Sequence, residues 1–148
     1  MKVMVIAKAS KASEAGEMDP EMFAAMHKFN EELINAGIII VGAGLTPSSC
    51  GARVRFSGSN RTVTDGPFPE TKEVIAGFMI WKVSSLQEAI DWVKKFPISS
   101  TEDSDVEIRQ LVEPEDFAGM VSPERIEEVK KLEAQSGDKD GYGLARFK

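Results

Sequence analysis

Two residues of this chain could exchange a proton near neutral pH: His27, its one histidine, and Asp65, mounted at a sharp turn. Imidazole titrates close to working pH, so a histidine oriented by a carboxylate can act as general base. Asp65 ends the β-branched run Thr62-Val63-Thr64 and is followed by Gly66-Pro67-Phe68-Pro69. A residue before proline is pushed out of the helical region, and proline fixes φ and removes a backbone donor. The chain therefore turns at Gly66-Pro67, and Asp65 is expected at the mouth of a sheet with Lys72 and Glu73 close by. Stiffly mounted polar groups beside a buried strand are where a binding site is expected. The plainer reading leaves Asp65 closing an Asx-turn and His27 filling the edge of a helix stripe.

Arg53 and Arg55 alternate with apolar residues and share one strand face; Arg61 is expected opposite them on a hairpin. With Lys72 they form either a cationic lining for an anionic small molecule or a solvated outer face. One histidine and no carboxylates at ligand spacing exclude a recognisable metal site, and no cofactor is expected. Cys50 follows two serines, with nothing near it in sequence to activate a thiolate. Gly42-Ala43-Gly44 follows an apolar run but precedes no helix pattern, so it lacks the context of a dinucleotide site. Its glycines are expected to let the backbone bend or approach another segment closely.

The elements that must position these groups follow from periodicity. Val3–Ala7 is a short apolar strand. Lys8–Glu17 is polar and small and reads as a loop. Asp19 offers an N-cap and Pro20 the first helical position; Met22, Met26, Phe29 and Leu33 then form a stripe that Phe23 and Ile34 widen, and Gly37 ends it. Ile38–Val41 is a buried strand. Ala52, Val54 and Phe56 mark a half-buried strand paired through Gly58-Ser59-Asn60 with Arg61–Thr64. Val74–Val83 is apolar on both faces. Ser85 and Glu88 form a capping box before a second helix ending ahead of Pro97. A last strand runs from Val106 to Val112, and Ser122-Pro123-Glu124 opens a third helix with a thin apolar edge expected on the outside.

This order gives an α+β fold of the ferredoxin-like kind, an antiparallel sheet with two helices on one face. Antiparallel sheets usually leave the uncovered face polar, yet the first strand and Val74–Val83 are apolar on both. The expectation is a homodimer whose second subunit covers that face, with Met79 among the covered residues and a pocket near the Asp65 turn.

At 148 residues, 42% hydrophobic and 28% charged, the chain is sized for one domain with a real core. A formal net charge of -6 argues against a general nucleic-acid or anionic-membrane surface. One cysteine, no signal-peptide pattern and no segment long enough to span a bilayer make the cytosol the expected compartment.

Asp65-Gly66-Pro67-Phe68, with Glu70-Thr71-Lys72-Glu73 and Ala76-Gly77-Phe78, resembles the DGPF-domain branch of the YCII-related family. Asn30-Glu31-Glu32-Leu33, Ala36-Gly37 and the run Gly51–Ser57 also fit it. The resemblance covers residues 1–112, leaving 113–136 as a helical extension and 137–148 as a tail expected to be poorly ordered. It implies a dimeric α/β-barrel. It implies no established reaction: some members are encoded beside, or fused to, extracytoplasmic-function sigma factors, and related members include a dehydrochlorinase-type lyase. A histidine–aspartate pair has been proposed as the family's catalytic site, and His27 lies on the corresponding helix. The branch often reads Gly-Glu-Gly-Leu where this chain has Gly42-Ala43-Gly44-Leu45, so a glutamate acid or base at that position is missing here.

Two readings result. One is a small-molecule-binding, regulatory or sigma-factor-associated dimer, with Arg53, Arg55, Gly66, Pro67, Lys72 and Glu73 at the ligand. The alternative is a lyase- or isomerase-type enzyme moving a proton on a small carbonyl or carboxylate compound, with Asp65 and His27 as acid and base and Lys72 as electrophile. The enzyme requires Asp65 and His27 to converge on one cavity.

Overall fold

The computed structural model describes residues 1–17, 19–69, 73–98 and 103–135. Strand β1 (Lys2–Lys8) leads through a single helical turn, α1 (Lys11–Glu14), to the long helix α2 (Pro20–Asn35) and strand β2 (Ile39–Gly44). A hairpin of β3 (Ala52–Ser57) and β4 (Asn60–Asp65) follows, then β5 (Ile75–Lys82), α3 (Leu86–Val93), β6 (Val106–Gln110) and α4 (Pro123–Gln135). The sheet is antiparallel in the order β2-β5-β1-β6. With the hairpin set aside, the first and third strands lie at the centre and the second and fourth at the edges, the ferredoxin-like arrangement expected from the βαββαβ order.

Local chemistry explains the helix ends. Asp19 accepts from the Glu21 N–H at 2.9 Å, Pro20 occupies the first turn, and Gly37 adopts φ +68 beyond the C-terminus of α2. Ser85 caps α3 by accepting from the Glu88 N–H at 3.1 Å. Glu88 does not close a capping box with Ser85; it reaches one residue further back and accepts from Ser84 N and Oγ, both at 2.6 Å. These bonds hold its carboxyl below the ordinary carboxylate range, the Ser84 hydroxyl contributing most. The expected Lys8–Glu17 loop contains α1, which Ser10 and Ser13 cap reciprocally at 2.9 and 3.1 Å.

The core lies between the helices and one sheet face. Val3, Val5 and Trp81 from the strands meet Phe29 and Leu33 of α2 and Ala89 of α3. The Phe29 ring packs against Trp81, Trp92 and Phe96 with centroids 6.2, 6.3 and 5.5 Å apart, two of these contacts being edge-to-face. The α2 stripe is narrower than its periodicity suggests: Phe29 and Leu33 are buried, while Phe23 is 61% exposed and Ile34 41%. One stripe suffices because the sheet and α3 meet α2 from the same side.

Three expectations about the sheet need correction. Met79 pairs in register with Val5 and packs against the helix-covered core, so it does not belong to a face reserved for a second subunit. Ile6, Val41 and Ile80, on the other face, are each no more than 8% exposed within the single chain. The second apolar face is therefore partly covered without a partner. The β3–β4 hairpin is exposed along its whole length rather than half-buried, with Val54, Phe56 and Val63 52–69% exposed.

Helix α4 lies outward as expected: Val129 is 41% exposed and Leu132 66%. Lys130 pairs with Glu115 at 3.0 Å and ties α4 to the 3₁₀ turn Pro114–Phe117. The tail from Gly137 lies outside the described residues. No helix among those described is long and apolar enough to cross a membrane.

Candidate functional site

His27 sits on the solvent face of α2, its side chain 71% exposed, with Nε2 3.5 Å from a Glu31 carboxylate oxygen. Asp65, at the end of β4, pairs in register with Ala52 and is also exposed. Neither a hydrogen bond nor an ion pair joins the two, so the carboxylate beside His27 is Glu31, one helical turn along. Glu73 is exposed, and Lys72 lies outside the described residues.

The arginines divide between two ribbon faces. Arg53 pairs with Thr64 and Arg55 with Thr62, which puts these four side chains on one face. Arg61 pairs with Phe56 on the other, its guanidinium 4.4 Å from the Phe56 ring centroid while Nη1 donates to the Gly58 and Asn60 carbonyls. Arg61 therefore does not extend the pair Arg53–Arg55. Arg53 instead lies over the Phe68 ring at 4.0 Å, a cation–π contact that ties the ribbon to the Gly66–Phe68 turn.

That turn has a structural explanation the sequence did not disclose. The Gly66–Pro67 peptide is cis. A Cβ placed on Gly66 would fall inside the backbone of Ser48, so the close approach requires glycine. Gly66 N–H donates to the Gly51 carbonyl at 2.9 Å, and Phe68 N–H donates to Ser48 Oγ at 3.0 Å. Ser48 is 7% exposed; its hydroxyl donates to Glu14 Oε2 and its N–H to Glu14 Oε1 at 3.1 Å. Glu14 of α1, the 3₁₀ turn Ser48–Cys50 and the Gly66–Phe68 turn thus form one hydrogen-bonded latch. Glu14 and Ser48 are residues that sequence reading missed, since their link spans 34 positions and carries no periodicity. Cys50, in the same turn, is exposed and free.

The concave site lies elsewhere. A cavity of about 290 Å³ sits between α2 and the β1–β5–β2 part of the sheet. It exists because the sheet there carries almost no side chains. In register, Ala7 faces Gly77 and Gly77 faces Gly44, while Gly42 faces Met79. Successive strand residues point to opposite faces, so Ala7, Gly42, Gly44 and Gly77 share the face that Val5 and Met79 occupy further along. A Cβ on Gly44 would meet nothing within 4 Å, whereas one on Gly77 would come within 2.9 Å of the Ala43 carbonyl. Gly77 permits close strand approach; of the Gly42-Ala43-Gly44 glycines expected to do so, Gly42 lies tight against Met79 while Gly44 leaves space.

Met26 and Asn30 of α2, with Phe96 beyond α3, close the cavity from above. Ala43 and Gly44 are exposed and mark its open side. Asn30 is the one polar side chain in the lining, and its Oδ1 is buried with no hydrogen-bond partner. His27 is excluded because each helical residue turns the side chain by about 100°; Met26 and Asn30, four apart, point to the sheet and His27 away from it. None of Asp65, Gly66, Pro67, Arg53, Arg55 or Glu73 lines the cavity. The signal for Asn30 was present as a polar residue inside the Met26–Phe29–Leu33 stripe.

Residues 1–113 match the model of the YCII-related domain. The chain belongs to the YCII-related family. A relative in Rhizobium meliloti (strain 1021), described as an uncharacterized protein, is 30% identical over 95 residues, which are 64% of this chain and 77% of that protein. Among solved structures, 5-chloro-2-hydroxyhydroquinone dehydrochlorinase from Burkholderia phenoliruptrix AC1100, in complex with 2,5-dihydroxybenzoquinone, aligns over 76% of this chain and 94% of its own, with 17% identity and a TM-score of 0.45. In this YCII-related chain the matched region takes in the sheet, α2, α3, the latch and the cavity. Helix α4 falls beyond it.

Proposed function

We propose that this YCII-related protein binds a small molecule in the cavity beneath α2, in a binding or regulatory role. The observation that carries this reading is the bare sheet floor at Ala7, Gly42, Gly44 and Gly77 beneath an apolar hollow with one polar lining side chain. Ligand sites are typically concave, mostly apolar and furnished with few orienting polar groups. An enzyme built on His27 and Asp65 would need both at one cavity, and neither lines this one.

The test is a fragment screen by amide NMR against the wild type and Gly44→Leu. The added side chain would enter the open space over Gly44. Fragments that perturb Met26, Asn30, Met79 and Phe96 in the wild type should lose that effect in the variant. Perturbations centred on Arg53, Asp65 and Phe68, unaffected by Gly44→Leu, would move the site to the ribbon and turn.

A homodimer belongs to the same proposal. The ribbon exposes Val54, Phe56 and Val63 side by side, and two-stranded ribbons rarely stand alone in water. Sedimentation at micromolar concentration should give a dimer that Phe56→Glu weakens; a monomeric wild type would refute it.

A further inference from the structure

The side chains that surround the cavity are apolar. Val5, Met26, Ile39, Met79 and Phe96 pack about it, over the bare floor at Ala7, Gly44 and Gly77. Ala43, Ala76 and Phe78 alternate with that floor and contribute backbone only, since their side chains point to the other sheet face. The lining holds no charged group, hydroxyl, indole or imidazole. Asn30 Oδ1 is the one side-chain oxygen among the described lining residues, and it is buried, so it offers a guest no surface. The floor strands β1 and β5 are each paired on both sides, which engages their backbone groups in the ladders. A guest's charge, N–H or O–H would therefore lose water here and gain no partner, at a net cost. Apolar surface gains by leaving water, and the flexible thioethers of Met26 and Met79 can adapt to its shape.

We infer that the ligand of this cavity is neutral and hydrocarbon-like, held by burial of apolar surface and not by hydrogen bonds from side chains. The hollow is about 290 Å³. That is roughly twice an apolar cavity of about 150 Å³ that accepts benzene, so the buried part of the guest can reach roughly ten carbons. This rests on the small-molecule reading above and deepens it. Selectivity is then a matter of size and shape.

Alkylbenzenes test it by NMR titration, read at the Met26 and Met79 methyl signals. From toluene through ethylbenzene and n-propylbenzene to n-butylbenzene, affinity for the wild type should rise about fourfold per added methylene, the factor for one buried CH₂. Benzyl alcohol, close in shape to ethylbenzene, should bind about tenfold more weakly than it, and phenylacetate more weakly still. In Gly44→Leu the longer members of the series should lose their advantage, because the new side chain would take the open space over Gly44. Benzyl alcohol or phenylacetate binding as tightly as ethylbenzene would overturn the hydrocarbon class while leaving a small-molecule cavity. An affinity that stops rising at toluene would overturn the size. If no probe shifts the two methyl signals, the cavity reading fails and the inference with it. The wild-type series needs no variant, so a poorly folded Gly44→Leu would not shield the idea.

Discussion

The two ends of one sheet face differ sharply. At one end Val3, Val5 and Trp81 project into α2 and α3 and are at most 1% exposed. At the other, Ala7, Gly42, Gly44 and Gly77 project almost nothing, and the helix above bridges a hollow. Strand pairing runs through both ends with the same partners. The sheet is thus packed scaffold and bare cavity floor by turns, according to whether its residues carry side chains. Close packing is the rule in interiors, so a stretch of missing side chains under a helix is a feature to explain.

The largest effect separating the ends should come from Leu33→Ala. Leu33 is fully buried at the filled end, and the truncation should cost about 2–5 kcal/mol in chemical denaturation. A loss below about 1 kcal/mol would mean that this end is as loosely filled as the other. Gly77→Ala comes next, at about 1–3 kcal/mol, because the new methyl would press on the Ala43 carbonyl. Gly44→Ala should lie within about 1 kcal/mol of the wild type, with a slight gain from the less flexible unfolded chain. Equal losses at Gly44 and Gly77 would contradict the distinction between an open floor and a close strand contact.

The smallest effect concerns the opposite face. Lys8 and Glu107 pair there at 3.1 Å, and the bond from Lys8 holds the Glu107 carboxyl below its ordinary range. A carboxylate with a lowered folded-state pKa adds stability above its unfolded pKa, and loses it as pH falls through the folded value. Melting temperature should therefore drop on acidification through and below the ordinary carboxylate range, and slightly less so in Glu107→Gln. Both side chains are partly open to water, so the difference should be small. Identical pH profiles would remove Glu107 as a contributor.

Much of the fold was legible because it rests on local chemistry. Asp19, Pro20 and Gly37 bound α2 through their own backbone preferences, and the period-2 pattern of Ala52–Phe56 marks a strand wherever it packs. The site was legible only in part. Gly66 announced a tight turn, but the reason for glycine is the Ser48 backbone, 18 residues earlier in the chain and invisible to periodicity. Asp65, Arg53 and Arg55 were candidates because stiffly mounted charged groups beside a turn suit a binding site. Their side chains face solvent or stack on Phe68, away from the cavity.

By itself the sequence determined the order of strands and of the helices other than α1, the N-cap residues Asp19 and Ser85, the hairpin, and through the turn motif the family. Those are properties of residues within a few positions of one another, where backbone preference and side-chain period act directly. Tertiary structure alone decided that Gly42, Gly44 and Gly77 meet across β2 and β5, that Asn30 closes the space above them, and that His27 turns away. A cavity is the absence of atoms between segments distant in sequence, and register and helix rotation set where that absence falls.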